Sequence, residues 1–286
     1  MNYICPKCQH SLNQQQSAYY CVKCNKYFTY EGEFPNFLTY EKYFSDTSSE
    51  AIEKEEEANI NKVKKYLVPL FKKLFKNEGP LKILSVGCGS AVEIDVLSDI
   101  GYEAWAVDTG DRINYWNRRK SKNLVIADGR NLPFPDKYFD VVMNFGVIEH
   151  VEETSSKNIR NRERAQYAKE LLRVSKVGGY NIFGFPNRLF PIDFWHYEKH
   201  GMRFHSITND FLASFKDINE YLSETKYSLM MVLPLKNYFS FKVTDFNPYL
   251  KIFIKPFNFY MNMVSSGPQF IRRSFLNPHL VIIIKK

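Results

Sequence analysis

The sequence lacks the long apolar runs of membrane proteins, and no stretch of about 18 consecutive apolar residues occurs among its 286 residues. The first ten residues contain no apolar signal-peptide core, so we expect a cytoplasmic protein. No internal repeat is visible, and a repeat architecture is not expected. With 44% hydrophobic and 24% charged residues, the composition suits one large globular domain, or one domain with a small module.

Acidic residues are scarce in the C-terminal third. The formal net charge is +8, and residues 187–286 carry +6 of it. A basic surface favours an anionic partner such as nucleic acid, a phospholipid surface or a phosphorylated substrate. A solvated basic face without any such partner would explain the same excess.

Cysteine is also sparse, and four of the five cysteines form two pairs near the N-terminus. Cys5 and Cys8 are followed, after twelve residues, by Cys21 and Cys24. Four thiolates at about 2.3 Å make a closed tetrahedral zinc site, which leaves no position for water. Residues 1–40 are therefore predicted to be a zinc ribbon with a structural Zn²⁺, because so small a segment needs metal binding to fold. A thiol cluster that holds iron or no metal is the alternative.

Residues 41–78 contain an acidic run followed by an amphipathic pattern. Apolar residues recur at three- and four-residue steps, at Ile60, Val63, Leu67, Leu70 and Leu74. This spacing predicts a linker helix that packs on the following domain. Pro69 is expected to kink this helix, and Gly79-Pro80 to end it.

From residue 79 to 286, short apolar strands alternate with helices, which is the pattern of a parallel sheet. The predicted strands are 82–86, 104–108, 124–127, 139–144, 180–185, 228–233 and 280–284. The predicted helices are 92–100, 111–119, 158–175 and 208–223. We expect Gly178-Gly179 to break the third of these helices before the fifth strand begins.

The first strand runs into the turn Gly87-Cys88-Gly89, and the second ends at Asp108, about 20 residues later. Glycines let the backbone approach a ligand closely, and an acid at this position accepts hydrogen bonds from ribose hydroxyls. A dinucleotide is disfavoured, because Glu93 stands near the helix N-terminus that would receive its pyrophosphate. A sulfonium cofactor without phosphates meets no such repulsion.

Similar signals follow the third strand, in Ala127-Asp128-Gly129, and the fourth, in Ile148-Glu149-His150. Together the motifs of roughly residues 80–186 resemble the class I S-adenosylmethionine-dependent methyltransferases, particularly the ubiquinone-biosynthesis O-methyltransferase branch. The resemblance implies an α/β fold: a seven-stranded, doubly wound Rossmann-like sheet with an antiparallel last strand, here preceded by the zinc ribbon.

The resemblance also implies the positions at which S-adenosylmethionine binds. Its methionine and ribose would lie at Gly87, Cys88 and Gly89, and its ribose hydroxyls at Asp108. Its adenine would lie at Asp128 and Gly129, and Phe145 would lie near the methionine end. The sequence departs from the family pattern at Ser85, where an acid is usual, at Ala91, where the turn usually has Gly, and at Gly146, where related enzymes have a metal-binding Glu. We therefore expect no catalytic magnesium.

Methyl transfer needs a group that removes a proton from the acceptor, and histidine suits this role. His150 is a candidate from the resemblance. His196 and His200 are candidates because they crowd one loop, with His205, after the fifth strand.

We expect a small-molecule, sugar or lipid-linked glycan acceptor, methylated at oxygen. The stretch from Pro186 to Pro191 resembles methyltransferases of bacterial surface-polysaccharide gene clusters, and the Asn-Pro-Pro-Tyr signature of nucleic-acid amino-methyltransferases is absent. A four-cysteine ribbon before such a domain is nevertheless similar to bacterial rRNA guanine methyltransferases, so an rRNA or tRNA base methyltransferase is the second interpretation. A non-catalytic zinc-ribbon binding protein on a methyltransferase scaffold is the third.

An insertion over 237–279 holds eleven Phe and Tyr, five Lys and Arg and one acid. Its apolar residues include Phe253, Phe257, Tyr260 and Val264 at helical spacing. This pattern predicts either a lid over the acceptor or a helix that rests on an anionic membrane as a peripheral contact.

Overall fold

A computed structural model describes residues 1–40, 49–76, 79–154, 156–192, 211–239 and 251–286. His196, His200 and His205, and the part of the predicted helix 208–223 before residue 211, lie outside these residues. Within them the chain forms a small N-terminal sheet and a large mixed sheet with helices on both faces.

The N-terminal sheet is antiparallel and has the strand order β1-β2-β3-β4. These strands are β1 (Asn13–Gln14), β2 (Ala18–Cys21), β3 (Lys26–Glu31) and β4 (Phe34–Pro35). The second cysteine pair lies at the turn between β2 and β3, and its sulfur atoms lie close to those of Cys5 and Cys8.

The large sheet has seven strands in the order β10-β11-β9-β8-β5-β6-β7. They are β5 (Lys82–Val86), β6 (Glu103–Asp108), β7 (Leu124–Ile126), β8 (Phe139–Phe145), β9 (Ser175–Pro186), β10 (Leu229–Val232) and β11 (His279–Lys285). Strands β5 to β9 pair in parallel, and β11 runs antiparallel to both of its neighbours. The predicted doubly wound sheet with an antiparallel last strand is confirmed.

The described helices are α1 (Ser49–Lys62), α2 (Val68–Leu74), α3 (Val92–Asp99), α4 (Ile113–Trp116), α5 (Lys157–Val174), α6 (Phe215–Tyr221), α7 (Lys251–Ser266) and α8 (Gln269–Arg272). A π turn, Val63–Leu67, joins α1 to α2 directly before Pro69. The widened turn is where the predicted linker helix departs from regular α geometry, since proline cannot donate the usual backbone hydrogen bond.

One predicted boundary is wrong. Gly178-Gly179 does not end α5, which stops at Val174, but lies inside the long strand β9. A Cβ atom on Gly179 would lie 2.9 Å from the carbonyl oxygen of Asp140. The register of β8 and β9 shifts between Phe139 and Val141, so the glycine permits a close backbone approach at an irregularity in the sheet.

The N-terminal module packs on the free edge of the large sheet. The amide of Phe37 donates to the carbonyl of Ile126 in β7 at 2.8 Å, and Asn36 pairs with the same residue in parallel. The ring of Tyr3 lies 5.9 Å from Phe134 and 6.4 Å from Trp105. The module therefore covers an edge strand and shares one hydrophobic core with the large domain.

Candidate active site

One cavity of about 570 Å³ opens at the carboxyl ends of β5, β6, β7 and β8. It lies within the size range of small-molecule sites and in the crevice where open α/β sheets bind ligands. Seven residues predicted for the site line it: Gly87, Gly89, Asp108, Asp128, Gly129, Phe145 and His150. Cys88 does not; its side chain is buried and lines a smaller, adjoining cavity behind the turn.

The glycine turn has the backbone conformation that only glycine adopts without strain. Gly87 and Gly89 have φ angles of +74° and +54°. A Cβ atom on Gly87 would lie 2.2 Å from Cγ2 of Val147. Behind the turn, the indole of Trp116 donates to the carbonyl of Gly89 at 2.7 Å. The turn is thus held open towards the cavity and fixed from its far side.

Asp108 lies at the end of β6, and its carboxylate binds the turn. Its Oδ2 accepts from the amide of Gly89 at 2.8 Å, and its Oδ1 accepts from the amide of Gly110 at 3.3 Å. Burial, and then the neighbouring carboxylate of Asp111, raise the pKa of Asp108 to about 7. Donors such as ribose hydroxyls would favour its ionised form.

Asp128 follows β7 and is held by two side chains that the sequence motifs did not single out. Arg130 donates from Nη2 to Oδ2 at 2.6 Å and from Nε to Oδ1 at 3.0 Å, and the hydroxyl of Tyr40 donates to Oδ2 at 3.0 Å. Burial raises the pKa of Asp128, but these hydrogen bonds outweigh burial and hold it below its usual value. An adenine amino group would share an already occupied carboxylate.

His150 lies at the cavity in a short 3₁₀ turn, Ile148–His150, that follows β8. Its Nδ1 lies 2.7 Å from a carboxylate oxygen of Glu153. The buried guanidinium of Arg164 supports the turn by donating to the carbonyls of Glu149 and Val151 at 2.5 and 3.1 Å. His150 is therefore the one predicted base that the described residues bring to the cavity.

Helix α1 also reaches the site, which the sequence did not indicate. Glu55 lines the cavity and accepts from Nη1 of Arg112 at 2.7 and 2.8 Å. That guanidinium nitrogen would lie 3.0 Å from a Cβ atom on Gly89. Part of the acidic run of the linker thus pairs with arginines near the glycine turn, since Glu56 likewise pairs with Arg119 at 2.8 Å.

The four paired cysteines form one cluster. Their sulfur atoms all lie within 4.8 Å of one another, with 3.9 Å between Cys5 and Cys24 and 3.5 Å between Cys8 and Cys21. Four thiolates around one zinc at about 2.3 Å would stand about 3.8 Å apart, so the cluster is compatible with tetrahedral coordination. Cys88 stands apart in the core.

The fold defines the class: a Rossmann-like α/β protein, here with a cavity at the carboxyl edge of its sheet. A family model described as "Methyltransferase domain" matches residues 84–183, so this segment is similar to methyltransferase domains.

Two relatives agree with this assignment. A probable S-adenosylmethionine-dependent methyltransferase of Mycolicibacterium smegmatis is 30% identical over 109 residues, which are 37% of this chain and 38% of that protein. A protein of the same description from Mycobacterium tuberculosis is 28% identical over 109 residues, 37% of this chain and 36% of its own length. The chain therefore matches less than two fifths of each relative. Over this segment the chain is similar to S-adenosylmethionine-dependent methyltransferases.

Solved structures are also similar. An S-adenosylmethionine-dependent methyltransferase from Archaeoglobus fulgidus has a TM-score of 0.48 at 18% identity, covering 82% of this chain and 99% of that chain. One from Aquifex aeolicus has a TM-score of 0.45 at 16% identity, covering 66% of this chain and 93% of that chain.

Proposed function

We propose that this protein transfers the methyl group of S-adenosylmethionine to an oxygen of a small-molecule, sugar or lipid-linked glycan acceptor. The observation that carries the proposal is the single cavity that gathers the glycine turn, Asp108, Asp128 and His150. These groups suit a nucleoside with a cationic tail, whereas the neighbouring carboxylates of Asp108 and Asp111 do not suit a pyrophosphate.

S-adenosylmethionine, when bound, supplies a methyl group already activated by its sulfonium. The protein's part is to position the acceptor and to take its proton. Asp108 would orient the ribose, and the Gly87 turn would let the ligand approach the backbone. His150 would accept the proton of the acceptor hydroxyl at Nε2, with Glu153 at its Nδ1 fixing the tautomer in which Nε2 carries the lone pair.

The cysteine cluster is proposed to hold a structural Zn²⁺. A shell of four thiolates leaves no open position for a substrate. The aromatic side chains Tyr3 and Phe37 of the module are buried against the sheet edge, so these rings are not available to stack on RNA bases. Tyr27 of the same module is 56% exposed, so the extract experiment below, rather than this packing, separates a small acceptor from the rRNA or tRNA alternative.

A peripheral membrane contact would suit a lipid-linked acceptor. Among the described residues, no helix is long and apolar enough to cross a bilayer. Helices α7 and α8 nevertheless expose Phe259, Met263 and Phe270, and Phe275 follows them. Exposed aromatic side chains beside Lys255 suit an anionic lipid surface.

The acceptor class is tested by offering the zinc-loaded protein and labelled cofactor a cell extract separated into polar small molecules, lipid-linked material and RNA. Label in either of the first two fractions, lost with His150→Gln, supports the proposal. Label in the RNA fraction would assign the second interpretation instead. If calorimetry detects no binding of the cofactor, the protein is the non-catalytic scaffold of the third interpretation.

A further inference from the structure

A second, smaller cavity of about 70 Å³ lies behind the glycine turn and shares Gly87, Glu55 and Phe145 with the large cavity. Its volume is about twice the roughly 30 Å³ share of one water molecule in the liquid. A space of this size can accommodate the end of a ligand that extends from the large cavity, but it is too small for a second ligand of that kind.

The carboxylate of Glu93 faces this cavity from the first turn of α3. It is buried, and its Oε1 accepts from the hydroxyl of Ser85 at 2.8 Å. Its Oε2 has no hydrogen-bond partner. A buried carboxylate oxygen without a partner is costly, and a cationic group in the cavity would relieve that cost.

Glu93 also supplies a carboxylate close to Ser85. Ser85 occupies the position on β5 at which the methyltransferases that this chain resembles usually have an acid. The strand therefore offers no carboxylate to a ligand ammonium. Because the Ser85 hydroxyl binds Glu93, the neighbouring helix brings a carboxylate to the position that the strand leaves neutral.

Lys62, at the end of α1, also lines the small cavity. Its ammonium lies 4.6 Å from the ring centre of Phe145 and 5.6 Å from that of Tyr238. Burial lowers the pKa of Lys62, while the charges of Glu93 and Glu55 raise it. The neighbouring carboxylates of Glu55 and Glu56 pair with arginines instead, with Arg112 at 2.7 Å and with Arg119 at 2.8 Å.

We propose that the small cavity binds the amino-acid end of the cofactor, with Glu93 receiving its ammonium and Lys62 its carboxylate. The inference rests on the proposed function, since it assigns a subsite of that same site. Unlike charges at two walls of a small cavity recognise a zwitterion, whose ammonium would donate to the unpartnered Oε2 of Glu93 and whose carboxylate would accept from Lys62. Glu93 and Lys62 would be positioning residues, remote from the acceptor proton.

The test compares two ligands by calorimetry: S-adenosylhomocysteine, which has the amino-acid end, and 5′-methylthioadenosine, which keeps the adenosine and the thioether but lacks that end. Glu93→Gln and Lys62→Met should each weaken S-adenosylhomocysteine roughly 10- to 100-fold, and 5′-methylthioadenosine less than about twofold. Glu53→Gln and Lys64→Met, which change exposed residues of the same helical segment, should alter neither affinity.

Equal losses for both ligands would overturn the inference, because the pair would then support the fold only. If a variant does not fold, the affinities of the wild-type protein for the two ligands test the inference instead. It should bind S-adenosylhomocysteine at least about 100-fold more tightly than 5′-methylthioadenosine, and equal affinities would overturn the inference. A wild-type protein that binds neither ligand would contradict the proposed function itself.

Discussion

At the scale of single residues, the carboxylate of Asp108 is expected to make cofactor affinity depend on pH. Its carboxylate already receives the amide of Gly89, and burial beside Asp111 raises its pKa to about 7. Ribose hydroxyls would donate to the same carboxylate and would favour its ionised form. Binding of an adenosyl ligand would then release a proton whenever the free protein holds one.

The expected result is that affinity for S-adenosylhomocysteine rises as the pH increases through about 7 and then levels off. The slope below that pH should not exceed about tenfold per unit for one proton. Calorimetry across this range measures it, and Asp108→Asn should bind more weakly and lose the part of the pH dependence that is centred near 7. A wild-type profile that is flat through pH 7 would contradict the assignment.

A substitution at Gly87 is expected to lower stability more than the same substitution at Gly146, which serves as the matched control. Gly87→Ala should lower the free energy of unfolding by about 2–4 kcal/mol, because a positive φ angle costs about 1–2 kcal/mol and the Cβ atom also meets Val147. Gly146→Ala should cost only about 1–2 kcal/mol, since Gly146 has a φ of +70° but open space around a Cβ atom.

Urea denaturation of both variants measures the difference. Val147→Ala, introduced beside Gly87→Ala, should recover the steric part of the loss. Equal losses in the two glycine variants would mean that the contact with Val147 is unimportant.

At the scale of elements, α7 combines a buried and an exposed face. Met261, Val264 and Ser265 are buried, and the Ser265 hydroxyl accepts from the amide of Leu235 at 3.1 Å. Phe259 and Met263, one turn apart, remain exposed. The helix is therefore anchored to the domain and still presents an apolar surface. The two roles of the insertion, lid and membrane contact, stay predictions.

If this surface meets a membrane, Phe259→Ser and Phe270→Ser should each weaken binding to anionic phospholipid vesicles roughly 5- to 30-fold, the loss of about 1–2 kcal/mol of apolar burial. Val177→Ser is the matched control, since Val177 is exposed to the same extent, 73%, on another part of the surface. Vesicle sedimentation measures the binding. Equal binding by all three variants and the wild type would exclude this contact.

At the scale of the whole molecule, the N-terminal module and the large domain share their core. Tyr3 and Phe37 pack with Trp105 and Phe134, and Tyr40, just after the module's last strand, donates to Asp128 in the cavity. The module also contacts the glycine turn indirectly, because Phe34 packs on Trp116 at 5.2 Å and Trp116 binds Gly89. Loss of metal at the cysteines should therefore affect the distant cofactor site.

A zinc chelator should lower the melting temperature of the whole protein by roughly 10 °C or more, in one transition, and weaken cofactor binding with it. Structural zinc contributes about 10 kcal/mol to the folding of small modules, and 1 kcal/mol is worth about 2–4 °C in a protein of this size. Scanning calorimetry with and without added Zn²⁺ measures the effect. Two separate transitions, with the upper one unchanged, would show that the module is independent.

The sequence by itself determined the parts that depend on local spacing. The cysteine pairs, the strand and helix order, and the residues at the ends of β5, β6 and β7 could all be predicted, because backbone geometry fixes where strand ends meet. The predicted break at Gly178-Gly179 was wrong, since a glycine that ends a helix and one that permits close strand pairing look alike in sequence.

Only the tertiary structure decided which distant residues complete the site. Helix α1 brings Glu55 to both cavities and Lys62 to the small one. Tyr40 and Arg130 reach the large cavity beside Asp128. No periodicity in the sequence predicts these contacts. The same holds for the docking of the cysteine module on β7, which depends on an unpaired strand edge and a buried aromatic cluster. These contacts join segments far apart in the chain, so they exist only once the chain has packed.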